Sequence, residues 1–287
     1  MQMQMQPDPL RAQSTTRASV ILPAHDEADY IGSCLEALLA SRHVRLDVIV
    51  VANACSDATA KIARSFSDIG QNKVTVIETE EAGKLNALNL GDAEAEHALR
   101  IYLDADVIVS PDLVAQLCAA LRVDGPRYAS GTPRISAAQS WVTRRYAGFW
   151  TTLPFVTEGV PGFGIFAMNR EMRQRWGHWP DIISDDTFAR LQALPEERVR
   201  VRATYSWPMI EGFRSLVRVR RRQNAGVEQI ARTYPALVAH DDTPAPSATG
   251  LIGRLVRDPL GFAVYATVAL AVKSPLFRTS DRWARGR

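Results

Sequence analysis

Cysteine is scarce in this sequence, and the few that occur are not paired by spacing. Cys34, Cys55 and Cys118 stand among 287 residues, and no Cys-x-x-Cys links any two of them. This scarcity excludes a disulfide framework and a zinc-binding knuckle. It favours a reducing compartment, so we expect a cytoplasmic protein.

An excess of charge of one sign is also missing. The 34 Lys and Arg residues nearly balance the 31 Asp and Glu residues, and the formal net charge is +3. We therefore expect no nucleic-acid partner, and any basic function must be local. The first residues repeat Met-Gln and lack the apolar run of a secretory signal, which predicts a flexible tail over residues 1–18.

Two phosphate-binding signatures are absent as well. No Gly-x-Gly-x-x-Gly follows the first predicted strand, and no Gly-x-x-x-x-Gly-Lys-Ser/Thr occurs anywhere. The chain therefore lacks the main phosphate-binding loop of nicotinamide-dinucleotide and P-loop enzymes, and both classes are disfavoured. Any phosphate must be held by a metal, by Lys84 or by later arginines.

What the sequence does contain is an alternation of short apolar runs with amphipathic stretches. The apolar runs predict buried strands at residues 19–23, 46–51, 74–78 and 99–103. The stretches between them have helical spacing of apolar residues, at 28–41, 57–67 and 84–96. This alternation predicts an α/β protein with a mainly parallel sheet flanked by helices. From about residue 127 to 205 the alternation weakens, which predicts a loop-rich half that shapes a pocket.

Acidic and polar residues follow the predicted strands where each strand ends. Asp26 and Glu27 follow the first strand, Asn53 ends the second, and Asp104 and Asp106 follow the fourth. The carboxyl ends of parallel strands meet at one edge of a sheet, where ligands bind. Two carboxylates spaced as Asp-x-Asp can hold one Mg²⁺ or Mn²⁺ ion, although this tripeptide also occurs by chance in turns.

Four segments together resemble the inverting glycosyltransferases of family 2, which have the GT-A fold. They lie at residues 20–27, 50–59, 83–91 and 102–106. The resemblance implies a GT-A-type mixed, mainly parallel sheet with a Rossmann-like N-terminal half. It also implies metal-dependent, inverting transfer of a sugar from a nucleotide-diphosphate donor to a hydroxyl acceptor. A processive enzyme is disfavoured, since the Gln-x-x-Arg-Trp motif of the family's processive members is missing from this sequence.

The resemblance also implies residues for the donor and the metal. The donor would be held by Pro23, Ala24, Asp26, Glu27, Asn53, Lys84, Asp104, Ala105, Asp106, Arg221 and Arg222. The arginine-rich stretch at residues 214–222, which contains Arg221 and Arg222, also fits a contact with anionic lipid or a solvated helix face. The cofactor would be Mn²⁺ or Mg²⁺ on Asp104 and Asp106, with His240 as a further ligand; a lone histidine is more often structural.

A later segment, residues 183–191, resembles the family's Glu-Asp motif. Asp186, or else Asp185, would then be the catalytic base for the acceptor hydroxyl. The plain alternative is that both aspartates only begin a helix, where acidic residues are favoured. The glycine-bearing loop before them would bind the acceptor through Gly162, Phe163 and Gly164, together with Trp179. Each of these could instead belong to a turn or to the core.

These segments predict three regions. The flexible tail spans residues 1–18, and a glycosyltransferase domain spans residues 19–240, with a nucleotide-sugar half at 19–110 and an acceptor half at 111–240. A C-terminal extension spans 241–287. The apolar run 260–272 predicts a helix of roughly 20 Å, too short for the roughly 30 Å hydrocarbon core of a bilayer. Its basic flanks also fit peripheral contact with a membrane, at the inner face of the cell membrane, through residues 254–287. Alternatively, the helix packs on the body or on a second subunit.

Two other functions fit parts of the pattern. A nucleotidyltransferase that makes a nucleotide sugar could use a related sheet, but it normally has a Gly-rich basic loop after the first strand, where this chain is acidic. A noncatalytic carbohydrate- or membrane-associated module is the other alternative. The intact Asp104, Asp106 and Asp186 favour the transferase.

Overall fold

The computed structural model describes residues 16–67, 70–244 and 247–275. The strands are β1 Thr16–Ala24, β2 Val44–Asn53, β3 Lys73–Thr79, β4 Arg100–Leu103, β5 Ile108–Val109, β6 Tyr128–Ile135, β7 Ile165–Met168 and β8 Arg198–Trp207. The helices are α1 Ile31–Leu39, α2 Thr59–Arg64, α3 Lys84–Glu94, α4 Leu113–Leu121, α5 Trp141–Trp150, α6 Pro154–Thr157, α7 Arg170–Arg173, α8 Asp185–Gln192, α9 Phe213–Thr233, α10 Pro235–Val238, α11 Ala248–Arg257 and α12 Pro259–Lys273.

All of these strands join one mixed sheet, in the order β3-β2-β1-β4-β7-β6-β8-β5. The first four along that order are parallel to one another. β7 is antiparallel to β4 and to β6, β8 is parallel to β6, and β5 is antiparallel to β8. The predicted fold class, a mixed and mainly parallel sheet with flanking helices, is confirmed.

The sheet is buried on both faces because its central strands are apolar at successive positions. In β1, Val20 and Leu22 pack into the core on one face, while Ile21 packs into a second core on the other. The amphipathic α1 covers the first face and buries Ile31, Leu35 and other apolar side chains. This arrangement gives the period of two in a strand that is covered on both sides.

The strand and helix predictions are right in place and wrong in some of their ends. β1 begins at Thr16, so residues 16–18 belong to the sheet and not to the predicted tail. Residues 1–15 lie outside the described part of the chain. The first two helices are shorter than predicted at both ends, with α1 at Ile31–Leu39 against 28–41 and α2 at Thr59–Arg64 against 57–67. Before α2, the Asp57 carboxylate accepts the backbone N–H of Thr59 at 2.9 Å, which holds residues 57 and 58 in a turn.

The C-terminal extension contains two helices, α11 and α12. α12 packs on α5 and α9, where Val268 and Ala271 are buried. Among the described residues, none of the helices is both long and apolar enough to cross a membrane.

Candidate active site

A cleft of about 490 Å³ opens at the carboxyl ends of β1, β2 and β4. Parallel strands leave their diverging loops at this edge, which is where the sequence places its acidic residues. Most of the predicted site residues line it, namely Pro23, Ala24, Asp26, Glu27, Asn53, Lys84, Asp104, Ala105, Asp106, Phe163, Gly164, Asp185, Asp186 and Arg222.

Asn53, at the end of β2, holds three loops of the cleft in register. Its side-chain amide donates to the carbonyl of Ala24 at 2.7 Å and accepts from the backbone N–H of Gly83 at 3.1 Å. The backbone carbonyl oxygen of Asn53 lies 2.7 Å from Nδ1 of His25. Because the Asn53 side chain is buried, these bonds are shielded from competing water. The hydrogen bonds to Ala24 and Gly83 therefore fix the position of the Asn53 side chain at the cleft.

Asp26 ties the loop after β1 to the loop after β2. Its carboxylate accepts a hydrogen bond from the backbone N–H of Ser56 at 2.5 Å and from the Ser56 hydroxyl at 3.1 Å. The backbone at Asp26 has φ of 51°, a left-handed conformation that Asp and Asn tolerate better than most residues. This geometry accounts for a short acidic side chain at this position.

Lys84, the first residue of α3, bridges two carboxylates from different parts of the chain. Its Nζ lies 2.8 Å from Oδ1 of Asp104 and 2.9 Å from Oδ2 of Asp185. Burial by itself would lower the pKa of Lys84, but the two carboxylates more than offset it and raise that pKa above its ordinary value. Lys84 therefore stays charged and links the end of β4 to the start of α8.

Asp104 and Asp106 both line the cleft and flank the buried Ala105 in sequence. The backbone N–H of Asp104 donates to the carbonyl of Gly164 at 2.9 Å, which fixes the turn. The Asp104 carboxylate already contacts the ammonium of Lys84, so this part of the cleft stabilises positive charge. Hard oxygen donors at such a position suit Mg²⁺ or Mn²⁺, and the residues present therefore fit a divalent cation.

Asp186 lies in the first turn of α8 and faces the cleft. Its pKa is raised to about 6, first by burial and then by the neighbouring charge of Asp185, and Lys84 partly opposes the shift. Its Oδ1 accepts the backbone N–H of Thr187 at 2.7 Å. Asp185 is buried and its carboxylate pairs with Lys84, so of the two candidates Asp186 is the better placed to take a proton. Both aspartates also begin a helix, as the plain alternative expects.

Part of the cleft lining is an apolar wall made of Tyr146, Trp150, Phe163, Trp207 and Met209. The Phe163 ring lies 4.9 Å from the Trp207 ring and 5.4 Å from the Trp150 ring, centroid to centroid. Of this wall, only Phe163 is among the residues that the sequence analysis selects. Trp150 ends a helix and Trp207 ends a strand, so the available signal was an aromatic residue at an element's carboxyl end.

The glycine loop beside this wall is tightly packed. Gly162 and Gly164 have φ of 73° and 76°, which side chains rarely allow. A Cβ on Gly162 would lie 1.9 Å from the hydroxyl oxygen of Tyr128, and one on Gly164 would lie 2.7 Å from the ring of Trp207. Gly164 lines the cleft, whereas Gly162 supports the loop from behind.

Trp179 is not at the cleft, and its predicted acceptor role is corrected. Its ring is buried, and its Nε1 donates to the carboxylate of Asp92 at 2.8 Å. Asp92 also pairs with Arg100 and Arg173, so Trp179 belongs to a buried polar network within the second core. Its predicted role fails because a tryptophan close in sequence to a site can point into the core.

Arg221 and His240 are also placed elsewhere. The guanidinium of Arg221 donates to the carbonyls of Ala271 and Val272 at 3.0 Å, at the carboxyl end of α12. His240 lies outside the cleft lining, and its Nδ1 is 2.8 Å from the carbonyl of Leu191. Neither residue is therefore brought to the paired aspartates. Arg220, one residue earlier, lines the cleft together with Arg222.

The family model described as glycosyl transferase family 2 matches residues 19–193, which include the strand ends, the glycine loop and the start of α8. The chain belongs to glycosyl transferase family 2. This match runs from β1 to the end of α8 and covers the acidic residues of the cleft.

Curated relatives in this family are similar over part of their length. Glycosyltransferase AglE of Haloferax volcanii is 37% identical over 90 residues, which are 31% of this chain and 30% of the relative. The poly-beta-1,6-N-acetyl-D-glucosamine synthase of Staphylococcus aureus is 30% identical over 116 residues, which are 40% of this chain and 28% of the relative. The chain thus matches less than a third of the length of either relative.

A solved structure shows the same fold over most of the chain. Mannosyltransferase PcManGT from Pyrobaculum calidifontis, in complex with GDP-Man and Mn²⁺, superposes with a TM-score of 0.61 at 20% identity. The superposition covers 91% of this chain and 76% of that protein. At this level of identity the likeness concerns the fold.

Proposed function

We propose that this family 2 protein transfers a sugar, with inversion, from a nucleotide-diphosphate donor to a hydroxyl acceptor in a metal-dependent reaction. The observation that carries the proposal is the convergence of Lys84, Asp104, Asp106, Asp185 and Asp186 in one cleft, from three separated segments. With a divalent cation bound to the aspartates, such a cluster suits a diphosphate substrate, and its remaining carboxylate suits removal of a proton.

Asp186 takes the proton of the acceptor hydroxyl as that oxygen attacks the anomeric carbon on the face opposite the departing diphosphate. A carboxylate whose pKa lies near 6 is largely ionised at neutral pH, yet it is a stronger base than an ordinary aspartate. Because attack and departure occur on opposite faces, the anomeric configuration inverts.

Lys84 positions the two sides of the reaction. Its ammonium holds Asp185, the neighbour of Asp186, and Asp104 of the donor side within one ion-paired unit. Asp104 and Asp106 would hold Mn²⁺ or Mg²⁺, which when bound neutralises charge that builds on the leaving diphosphate. Arg222 and Arg220, at the same cleft, add positive charge for the phosphates.

The acceptor lies against the apolar wall, and its hydroxyl reaches Asp186. Aromatic rings such as Trp150 and Trp207 stack on the apolar faces of sugars and on apolar parts of other molecules. The acceptor is a glycan, a lipid or a small molecule, and the enzyme adds one sugar per encounter.

The test is a panel of nucleotide sugars with Mn²⁺ and an acceptor mixture, with release of nucleoside diphosphate as the readout. At least one donor is expected to turn over, Asp106→Ala is expected to abolish turnover, and the exposed Asp181→Ala serves as a matched control. NMR of the product's anomeric proton reports inversion or retention. Unchanged turnover in Asp106→Ala would remove the proposal.

The same assay separates the alternatives. Pyrophosphate released from a nucleoside triphosphate and a sugar phosphate would indicate a nucleotidyltransferase. Nucleotide binding that needs no metal and gives no product with any acceptor would indicate a noncatalytic module.

We also propose that the protein works in the cytoplasm at the inner face of the cell membrane, through the C-terminal segment predicted from sequence at residues 254–287. Arg254 and Arg257 lie in the last turn of α11 and Lys273 ends α12, whereas the four arginines from residue 278 onward lie outside the described residues. Fractionation of cells that produce the full chain tests this location, and recovery of all the protein away from membranes contradicts it.

A further inference from the structure

Most of the large apolar side chains of α11 are exposed to water. Ile252 and Val256, one turn apart, are 60% and 76% exposed, and Leu255 beside them is also exposed. Arg254 lies on the other side of the helix, where its Nε donates to the carbonyl of Thr152 at 2.9 Å. A helix on a water-facing surface normally buries its apolar stripe and exposes its charges.

α12 continues this apolar surface. Leu260, Ala263, Thr267 and Leu270 lie on its exposed side at helical spacing, and Leu270 is 70% exposed. Its other side packs against α5 and α9. The sequence of the helix contains no charged residue before Lys273, so the exposed side of α12 is almost entirely apolar.

The charges around this surface are nearly all positive. Between residues 247 and 275 the chain contains Arg254, Arg257 and Lys273, and its one acidic residue is Asp258. The Asp258 carboxylate is engaged at the start of α12, where it accepts the backbone N–H of Gly261 at 2.9 Å. Arg254 and Arg257 border a groove between α11 and α5. An apolar surface with a basic rim is complementary to an anionic bilayer surface.

We propose that the exposed sides of α11 and α12, named here the C-terminal apolar face (Ile252, Leu255, Val256, Leu260 and Leu270), lie in the interface of an anionic lipid bilayer. The helices rest parallel to the membrane plane with these side chains at the boundary of headgroups and acyl chains. Arg254, Arg257 and Lys273 contact lipid phosphates. The inference specifies the surface that makes the membrane contact in the proposed function, and it does not depend on the chemistry of the cleft.

Contact through this face would bring the apolar wall of the cleft close to the membrane. α12 packs on α5 and α9, and residues of both helices, among them Trp150 and Leu216, line the cleft. Arg221 fastens α9 to the carboxyl end of α12. The acceptor side of the cleft is thus nearest the bilayer, and an acceptor drawn from the membrane would reach it first.

The experiment is sedimentation of the full chain with vesicles of pure phosphatidylcholine, and with vesicles of equal parts phosphatidylcholine and phosphatidylglycerol. Binding is expected for the anionic vesicles, and raised NaCl is expected to weaken it. The double variant Ile252→Ser, Val256→Ser is expected to lose about tenfold or more in affinity. A matched control makes the same changes at exposed valines elsewhere, Val123→Ser and Val227→Ser, and is expected to bind like the original chain.

Three results would overturn the inference. The first is a folded chain that binds neither kind of vesicle, and the second is equal binding by the double variant and its control. The third is that light scattering shows a dimer of the original chain and a monomer of the double variant, because a second copy of the chain would then cover the face. Donor hydrolysis in solution, measured on the same variants, is expected to be unchanged, so a failure here is distinguishable from a failure of the proposed catalysis.

Discussion

The two sides of the cleft are held in place by different forces. On one side, Lys84, Asp104 and Asp185 form a connected ion-paired unit, and Asn53 fixes the neighbouring loops with hydrogen bonds. On the other, the apolar wall depends on ring contacts and on glycines that admit close packing. In the proposed reaction, directional charges suit a donor whose phosphates must be positioned, whereas an apolar wall suits an acceptor recognised by shape.

Among these predictions, removal of the proposed base is expected to have the largest effect, and this effect is on kcat. Asp186→Asn retains the shape of the side chain but cannot accept the acceptor's proton, so kcat is expected to fall by about 10²–10⁴-fold. Donor affinity is expected to change little, because the other side of the cleft is intact. Steady-state kinetics with separate measurement of donor Kd test this, with Asp181→Asn as the control. Full activity in Asp186→Asn would give the role to another group.

The ion-paired unit is expected to contribute to stability as well as to the site. Lys84→Met leaves the carboxylate of Asp185, which is 8% exposed, without its cation. The free energy of unfolding is expected to fall by about 3 kcal/mol, near the lower limit for such pairs because the Lys84 side chain is 25% exposed.

Denaturant unfolding measures this loss, and Lys61→Met, at an exposed lysine of α2, is the control. Adding Asp185→Asn to Lys84→Met is expected to restore part of the lost stability, because the uncompensated charge is then removed. If Lys84→Met were as stable as Lys61→Met, the two sides would not be linked through this residue.

The apolar wall is expected to respond to a single added methyl group. Gly164→Ala places a Cβ against Trp207 and Val107 at a φ of 76°, and is expected to cost about 2 kcal/mol. Its acceptor KM is expected to rise by a larger factor than its donor Kd, which also changes because the Gly164 carbonyl accepts the backbone N–H of Asp104. Gly148→Ala in α5 is the control, because its Cβ would meet nothing within 4 Å. Equal effects on donor and acceptor would show that the two sides are not separate.

The smallest expected effect is a change with pH. Asp186 must be ionised to accept a proton, and its pKa is about 6 because burial and Asp185 disfavour its charge. As pH falls through that value the carboxylate is protonated, so kcat/KM is expected to decrease by about tenfold from pH 7 to pH 5. A profile that stays flat over this range, with the protein still folded, would indicate a different base.

Much of the donor side could be predicted from local sequence. The predicted strand at residues 99–103 is β4 at Arg100–Leu103, and Asp104 and Asp106 follow it in the cleft. A strand that is apolar on both faces must be buried, and the polar residues at its end must then leave the sheet at its edge. Local pattern is sufficient where burial and position along the chain determine the outcome together.

Predictions that depended on direction in space were less successful. Arg221 and Arg222 are adjacent in sequence, yet on α9 successive side chains point about 100° apart. Arg222 therefore lines the cleft while Arg221 binds the end of α12. Trp179 similarly follows the glycine loop in sequence but packs inward on Asp92.

By itself, the sequence determined the alternation of strands and helices, the carboxylates at the strand ends and the family to which the chain belongs, because these depend on residue type and short-range spacing. Only the tertiary structure decided that Lys84 joins Asp104 to Asp185, that Trp150 and Trp207 form an apolar wall of the same cleft, and that α11 exposes apolar side chains. Those outcomes depend on contacts between segments far apart in the chain. Packing all the elements at once selects such contacts, and no local pattern encodes them.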